Sequence, residues 1–418
     1  MPQDAGKTAP RFLSRVVSYY YGSGDYNGLR IDREDSPWSR AAGTLLRKGL
    51  IEVIAEVDFP NPHVRPWACR RSTDEQLESV RSAMSGTGPA VCLYPTAVAL
   101  RGRPEVEALR DEPFEQRLAS GSGGLELAFF RIDVLESYRN DPTFRFDFSD
   151  FGAKTAISDD AYTSDETPEH EKVLLHYLGF AYAQPVRRQG PIERSVAGFV
   201  RDLAKLSAVH QRRWATYELT GGGWQAHPMW WRQMMGEWPD GRGPFEALLY
   251  ELTVWNELHE RAFGTPLVRS TERPREFGWV LRPSQREYDD FVQLLDKLLS
   301  ENLRHEAFDA AGVPRKSSKG MDHATLTRLN LLLEKTGIPK DSRSEILKPL
   351  RHVRSARSKP AHAIRRNITN ASFVHRQAEL MSEVTGSLRD LRLFWQRHPA
   401  NQDWCASDHL ADLKAYWL

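Results

Sequence analysis

The stretch Ser284-Gln-Arg-Glu-Tyr-Asp-Asp-Phe-Val-Gln-Leu-Leu-Asp-Lys-Leu-Leu299 decides how the C-terminal third folds. Ser284 followed three residues later by Glu287 is the signature of a capping box, which satisfies backbone N–H groups at a helix start. Behind it Tyr288, Phe291, Leu295, Leu298 and Leu299 recur at helical spacing on one stripe. The pattern returns three times. A second helix is predicted over 322–335, with Leu326, Leu329 and Leu333 inward and Gly337 and Pro339 ending it. A third runs over 342–357 and contains Pro349, which either kinks one helix or begins a new one. A fourth, over 371–397, buries Val384, Leu388, Leu391 and Trp395. Four amphipathic helices on short connections predict an up-and-down bundle over residues 284–418.

Upstream of this unit the pattern is mixed. Ser36-Pro37 reads as an N-cap followed by a first-turn proline, and the helix it opens ends at Gly49. The run from Leu50 to Val57 then reads as a half-buried strand, broken by Asp58-Phe-Pro-Asn-Pro-His63. Helix, glycine, strand and loop in that order predict a winged-helix-like domain over 11–70, or a small packing domain without DNA contact. Residues 71–283 are expected to form a mixed α+β middle domain. A helix is predicted over 74–84, with strands at 90–94 and 125–133, the second following Gly121-Ser-Gly-Gly124. Residues 138–167 read as charged and irregular. Helices are predicted over 171–182, 191–217 and 244–263. The fold class expected is mainly α with a minor β component (α+β).

Composition sets the outer limits. The chain has 418 residues, enough for two or three domains. Its formal net charge of +1 excludes a uniformly basic nucleic-acid binder but not a local basic patch. No apolar run approaches the ~20 residues of a membrane helix, so no membrane partner is expected. The polar MPQDAGKTAP start lacks a signal-peptide core, and Cys69, Cys92 and Cys405 suggest no disulfide framework or zinc pair. A cytoplasmic, reduced protein without a metal or other cofactor is expected.

Phosphate-loop, zinc-protease and nucleophile-elbow motifs are absent from the sequence. Asp150-Phe-Gly152 stands without the rest of a kinase signature. Glu169-His-Glu171 with His176 could supply metal ligands, but an acidic helix start looks the same. Trp224, Trp230, Trp231 and Trp238, with Met229, Met234 and Met235, could stack bases, but they read first as core.

The strongest chemical signal is the concentration of cations between 340 and 376: Lys340, Arg343, Lys348, Arg351, Arg354, Arg357, Lys359, Arg365, Arg366 and Arg376, opposed by Asp341 and Glu345. On a nearly neutral chain such a stripe is the footprint of a phosphate-rich partner. Within it lies Arg357-Ser-Lys-Pro-Ala-His362. Arg357 follows Leu350 and Val353 on the packed face, where a guanidinium needs either a carboxylate such as Asp290 or Glu383 or a cleft. A break at Pro360 could bring the His362 imidazole beside it. Histidine can move protons at a ribose 2′-hydroxyl or a leaving 5′-oxygen, and arginine can stabilise a phosphorane.

An arginine, four to six residues and a histidine on a C-terminal four-helix bundle resemble the HEPN superfamily, and the likeness covers 284–418. The resemblance implies a metal-independent RNase of toxin–antitoxin, phage-defence or CRISPR-linked type. It gives Arg357 and His362 the catalytic positions and implies a homodimer that pairs two motifs across one site. Lys359, Arg354, Arg365 and Arg366 would then hold RNA phosphates, and the upstream regions would sense or bind a regulatory protein. The residue after Arg357 is Ser, where the family more often carries Asn, Asp or His. Arg392-Leu-Phe-Trp-Gln-Arg-His398 fits the same spacing but encloses Phe394 and Trp395, which read as core. Asn61-Pro-His-Val-Arg65, Cys92-Leu-Tyr-Pro95 and Glu272-Arg-Pro-Arg-Glu-Phe-Gly278 also resemble a group of bacterial proteins, a likeness without mechanistic content. The alternative function is non-catalytic: a regulatory protein that binds nucleic acid or protein and uses the bundle to dimerise. A third expectation makes the middle region a small-molecule sensor around Trp230 and Trp231.

Overall fold

The computed structural model describes residues 5–183, 193–221, 223–237, 241–358, 366–405 and 414–415. The protein is mainly α with a minor β component. It divides into two compact units. The first holds 1–145, 154–186 and 192–226; the second holds 146–153, 187–191 and 227–418. The chain passes from the first unit to the second for the last time at 226/227, whereas the sequence predicts divisions at 70/71 and 283/284. No described helix is long and apolar enough to cross a membrane. Cys69, Cys92 and Cys405 are free thiols.

The first unit opens with helix α1 (Ala5–Gly22), strand β1 (Leu29–Ile31), helix α2 (Ser39–Arg47), strand β2 (Ile51–Ala55), helix α3 (Thr73–Ser85) and strand β3 (Val91–Pro95). Gly49, at φ 62°, provides the left-handed turn after α2, as its sequence position predicts. The α3 start is a full capping box between Ser72 and Glu75. The strands form an antiparallel sheet in the order β1-β3-β2. Its core takes Phe12 and Val16 from α1, Leu45 and Leu46 from α2, and Val53 and Leu93 from the sheet. A winged helix would join its last two strands by a hairpin; here α3 stands between β2 and β3.

A second sheet follows, from β4 (Leu127–Arg131), β5 (Phe144–Phe148), β6 (Gly152–Ile157), β7 (Leu174–Ala183), β8 (Glu193–Phe199) and β9 (Trp224–Ala226). Its order is β4-β8-β7-β6-β5, with β9 paired to β7. Two expectations are corrected here. Residues 174–183 and 193–199 are strands, not helices, and the irregular stretch 138–167 contains β5 and β6. The burial in β7 is nearly continuous from Leu178 to Ala181. A short apolar run of this kind has no periodicity that separates a buried strand from a buried helix.

The second unit is helical: α4 (Pro244–Phe263), α5 (Gln285–Leu298), α6 (Thr325–Lys335), α7 (Lys340–Ser358) and α8 (Ser372–Gln396). The four helices expected beyond 284 are α5 to α8, and Pro349 lies inside α7 without ending it. Ser284 caps α5 by accepting from the Glu287 N–H, but the Glu287 carboxylate reaches back to the N–H groups of Leu281 and Arg282. Helix α4 packs along α8, where Trp255 meets Trp395 at 5.9 Å between ring centroids. Cutting the chain at 283/284 would have divided that core. Asp150 is buried in this unit, accepts from the N–H groups of Phe245 and Glu246 at the start of α4, and pairs with Arg273 at 2.5 Å. Met229 and Trp230 are core residues, as expected for their stretch; Trp238 lies outside the described residues.

Candidate nucleic-acid interface

The cations of α7 follow three different fates. Arg343 is buried, donating to the Ile338 carbonyl at 2.9 Å and to Glu334 at 3.0 Å, so it ties α7 to the end of α6. Lys348 stays exposed beside Glu345. Arg351, Arg354 and Arg357 occupy the C-terminal half of the helix, one turn apart.

Arg354 and Arg357 converge on one buried carboxylate. Asp296 lies on the α5 stripe, four residues from Val292 and three from Leu299, and its side chain is 1% exposed. Arg357 Nη1 donates to Asp296 Oδ2 at 2.7 Å and also to Glu301. The Ser300 hydroxyl donates to Asp296, and Arg354 donates to Ser300 at 3.0 Å from a position 4.0 Å from Asp296. The Asp296 and then the Glu301 bonds push the Arg357 guanidinium further toward its charged form. The Arg357 side chain is 33% exposed, so its outer edge reaches solvent. Its hydrogen bonds to described residues all leave from Nη1, and Nε and Nη2 have none among them. The acid partners are thus Asp296 and Glu301, not Asp290 or Glu383. An aspartate inside an apolar stripe was the sequence signal that a cation had to pack there.

Beside this pair, α6 and α7 border an open cleft of about 530 Å³. Thr327 and Asn330 line it from α6; Arg351, Arg354, Ser355 and Ser358 line it from α7. Among the described residues the lining contains two arginines, four neutral hydrogen-bonding side chains and no carboxylate. The opposite side of α7 faces a different cleft, where Asp289, Glu379 and Glu383 offset Arg376 and His352. An anion is therefore favoured on the α6 side alone.

His362, Lys359 and Arg365 lie outside the described residues. Arg366 is exposed on the segment that returns to the start of α5, where Gln285 N–H donates to the Ile368 carbonyl at 2.8 Å. The second match to the motif is spent on structure. Arg392 pairs with the buried Glu251 at 2.5 Å, and His398 accepts from the Ala400 N–H. Among the described residues no group of three or more His, Cys, Asp or Glu side chains could hold a metal ion. Glu171, one of the candidate ligands, instead meets Nε2 of the buried His210 at 3.0 Å.

No protein-family model, curated protein or solved structure matches the chain.

Proposed function

We propose that the second unit is a HEPN-like RNase of a cytoplasmic bacterial protein, binding RNA in the α6–α7 cleft and cutting it with Arg357 and His362. The cleft carries the reading: it has arginines and hydroxyl and amide donors, lacks acids, and ends at Ser358, one residue past Arg357. In this chemistry the His362 imidazole takes the 2′-hydroxyl proton as that oxygen attacks phosphorus, and protonation of the 5′-oxygen completes cleavage to a 2′,3′-cyclic phosphate. Arg357, oriented through Nη1 by Asp296 and Glu301, turns its remaining N–H groups to the phosphorane. Arg354, Lys359, Arg365 and Arg366 hold flanking phosphates, and a homodimer through the bundle doubles the site. A role as a defence nuclease or toxin, restrained by a regulatory protein, suits that activity.

One observation favours a second reading, RNA binding without cleavage: Arg357 already has two carboxylate partners. Both readings require the cleft. Fluorescence anisotropy with a labelled single-stranded RNA tests it. Replacing Arg351 and Arg354 by Gln should weaken binding and lower the slope of log K against log salt by about 1.4, roughly 0.7 for each phosphate left without its cation. Unchanged affinity and slope would remove the cleft from both readings.

A further inference from the structure

A second cleft lies wholly within the first unit, and the proposed RNase activity does not use it. Its volume is about 250 Å³. Two phrases that stand apart in the sequence, Asn61-Pro-His-Val-Arg65 and Gly121-Ser-Gly-Gly124, meet there. Asn61, His63 and Arg65 line it on one side, Ser122 and Gly124 on another, and Arg201 and Lys205 close it.

The cleft is held in place by backbone bonds. Gly28 N–H donates to the His63 carbonyl at 3.3 Å, Gly124 N–H to the Arg65 carbonyl at 2.7 Å, and Leu125 N–H to the Pro66 carbonyl at 3.0 Å. The Tyr94 hydroxyl donates to the Pro62 carbonyl at 2.8 Å. A Cβ at Gly123 would overlap the backbone of Pro66 and Trp67, so the glycine lets the two loops touch. The walls are therefore formed without a ligand, which lowers the ordering cost of binding.

The charges are unbalanced. Glu52 is bound to Arg65 at 2.7 Å, Glu126 accepts from Gly123 N–H, and Glu115 accepts from the Tyr26 hydroxyl. Asp25 is the acid among the lining residues and stands 4.0 Å from Lys205, and Asp202 lies within electrostatic reach of both Arg201 and Lys205. Arg201 has no ion pair among the described residues. Arg65 lines the cleft and is 6% exposed, with Nη2 held by Glu52 and Nε enclosed without a hydrogen-bond partner. His63 adds a further donor, while Asn27, Asn61 and Ser122 offer neutral donors and acceptors suited to hydroxyl groups.

We infer that this cleft binds a small phosphorylated metabolite, with its phosphate held by Arg201 and Lys205 and its hydroxylated part among Asn27, Asn61 and Ser122. A cleft of about 250 Å³ is small for a ligand site and suits a ligand of sugar-phosphate size.

Isothermal titration of the full chain with ribose 5-phosphate, AMP, inorganic phosphate and succinate tests the inference. An organic phosphate should bind with submillimolar Kd and more tightly than inorganic phosphate or succinate. Arg201→Gln and Lys205→Gln should each weaken it at least about tenfold, the loss of one charge-assisted hydrogen bond, with unfolding midpoints unchanged. Failure of both organic phosphates to bind, equal binding of succinate, or binding untouched by both substitutions would overturn it. RNA cleavage plays no part in the measurement, so its outcome is independent of the proposed nuclease activity.

Discussion

Replacing Arg357 by Ala should destabilise the second unit, because it strips the main counter-charge from a carboxylate that solvent cannot reach. Asp296 is 1% exposed, and Arg357 is its nearest cation at 2.7 Å. Breaking a fully buried ion pair by deleting one partner costs about 3–5 kcal/mol. Two features reduce that here: Arg354 remains 4.0 Å away, and the Ser300 hydroxyl still donates to the carboxylate. Arg357 is also one-third exposed, so its own desolvation was partial. The expected loss is about 2–3 kcal/mol. Urea unfolding of the full chain, followed by circular dichroism with the two units fitted separately, should show a lower midpoint at unchanged m-value. Asp296→Asn keeps the side-chain shape and removes the charge. In that background Arg357→Ala should lose most of its effect, a coupling of about 2 kcal/mol. A loss under about 0.5 kcal/mol with no coupling would show that Asp296 does not depend on Arg357 for its counter-charge. The point bears on function, since cleavage lost in Arg357→Ala has a folding explanation, whereas His362→Ala leaves this ion pair intact.

Two histidines of the second unit should make it acid-sensitive. Burial lowers the pKa of His227 and of His259 from the usual 6.5 to about 4. Both are neutral in the native state and in the unfolded chain above pH 6.5, so no stability depends on them there. Between pH 6.5 and 4 the unfolded chain alone takes the protons, and stability falls by up to about 3 kcal/mol per histidine. His227 accepts from the Met229 N–H at the start of a helix, a position Asn also caps, so His227→Asn should remove about one proton from the pH slope of the unfolding free energy. An unchanged slope would refute the assignment. Gln377 is fully buried and bonds the Val280 N–H at 2.9 Å and the Gly278 carbonyl at 2.9 Å. Gln377→Leu should cost about 2–4 kcal/mol in urea unfolding, since two backbone groups lose their partners at once.

The helices of the second unit were legible because they announce themselves locally. Ser284 and Glu287 mark a start, Gly337 and Pro339 mark an end, and the Leu stripes mark the inward faces. The same local logic placed α3, β3 and β4. It failed where burial is continuous. In β7, Leu175 and Leu178 stand three apart as on a helix, while Leu178 and Phe180 stand two apart as on a strand, and pairing with β8 and β9 decides between them. The α4–α8 packing joins residues over a hundred positions apart, and no pattern within α4 names its partner. At the site, the cations of α7 were visible as a run, but their separate fates were not. Arg343 and Arg357 are distinguished only by the acids that the fold brings to them, Glu334 and Asp296. The convergence of residues 61–65 with 121–124 and Arg201 is likewise a tertiary event.

The nuclease claim is tested most directly by incubating the purified full chain and its His362→Ala variant with end-labelled single-stranded RNA in EDTA. The wild type should cleave the RNA to 2′,3′-cyclic phosphate ends, with the variant still binding RNA but leaving it intact. Equal cleavage by both proteins, or none by the wild type while it binds the RNA, would contradict the assignment of His362 as the proton-moving residue of an RNase.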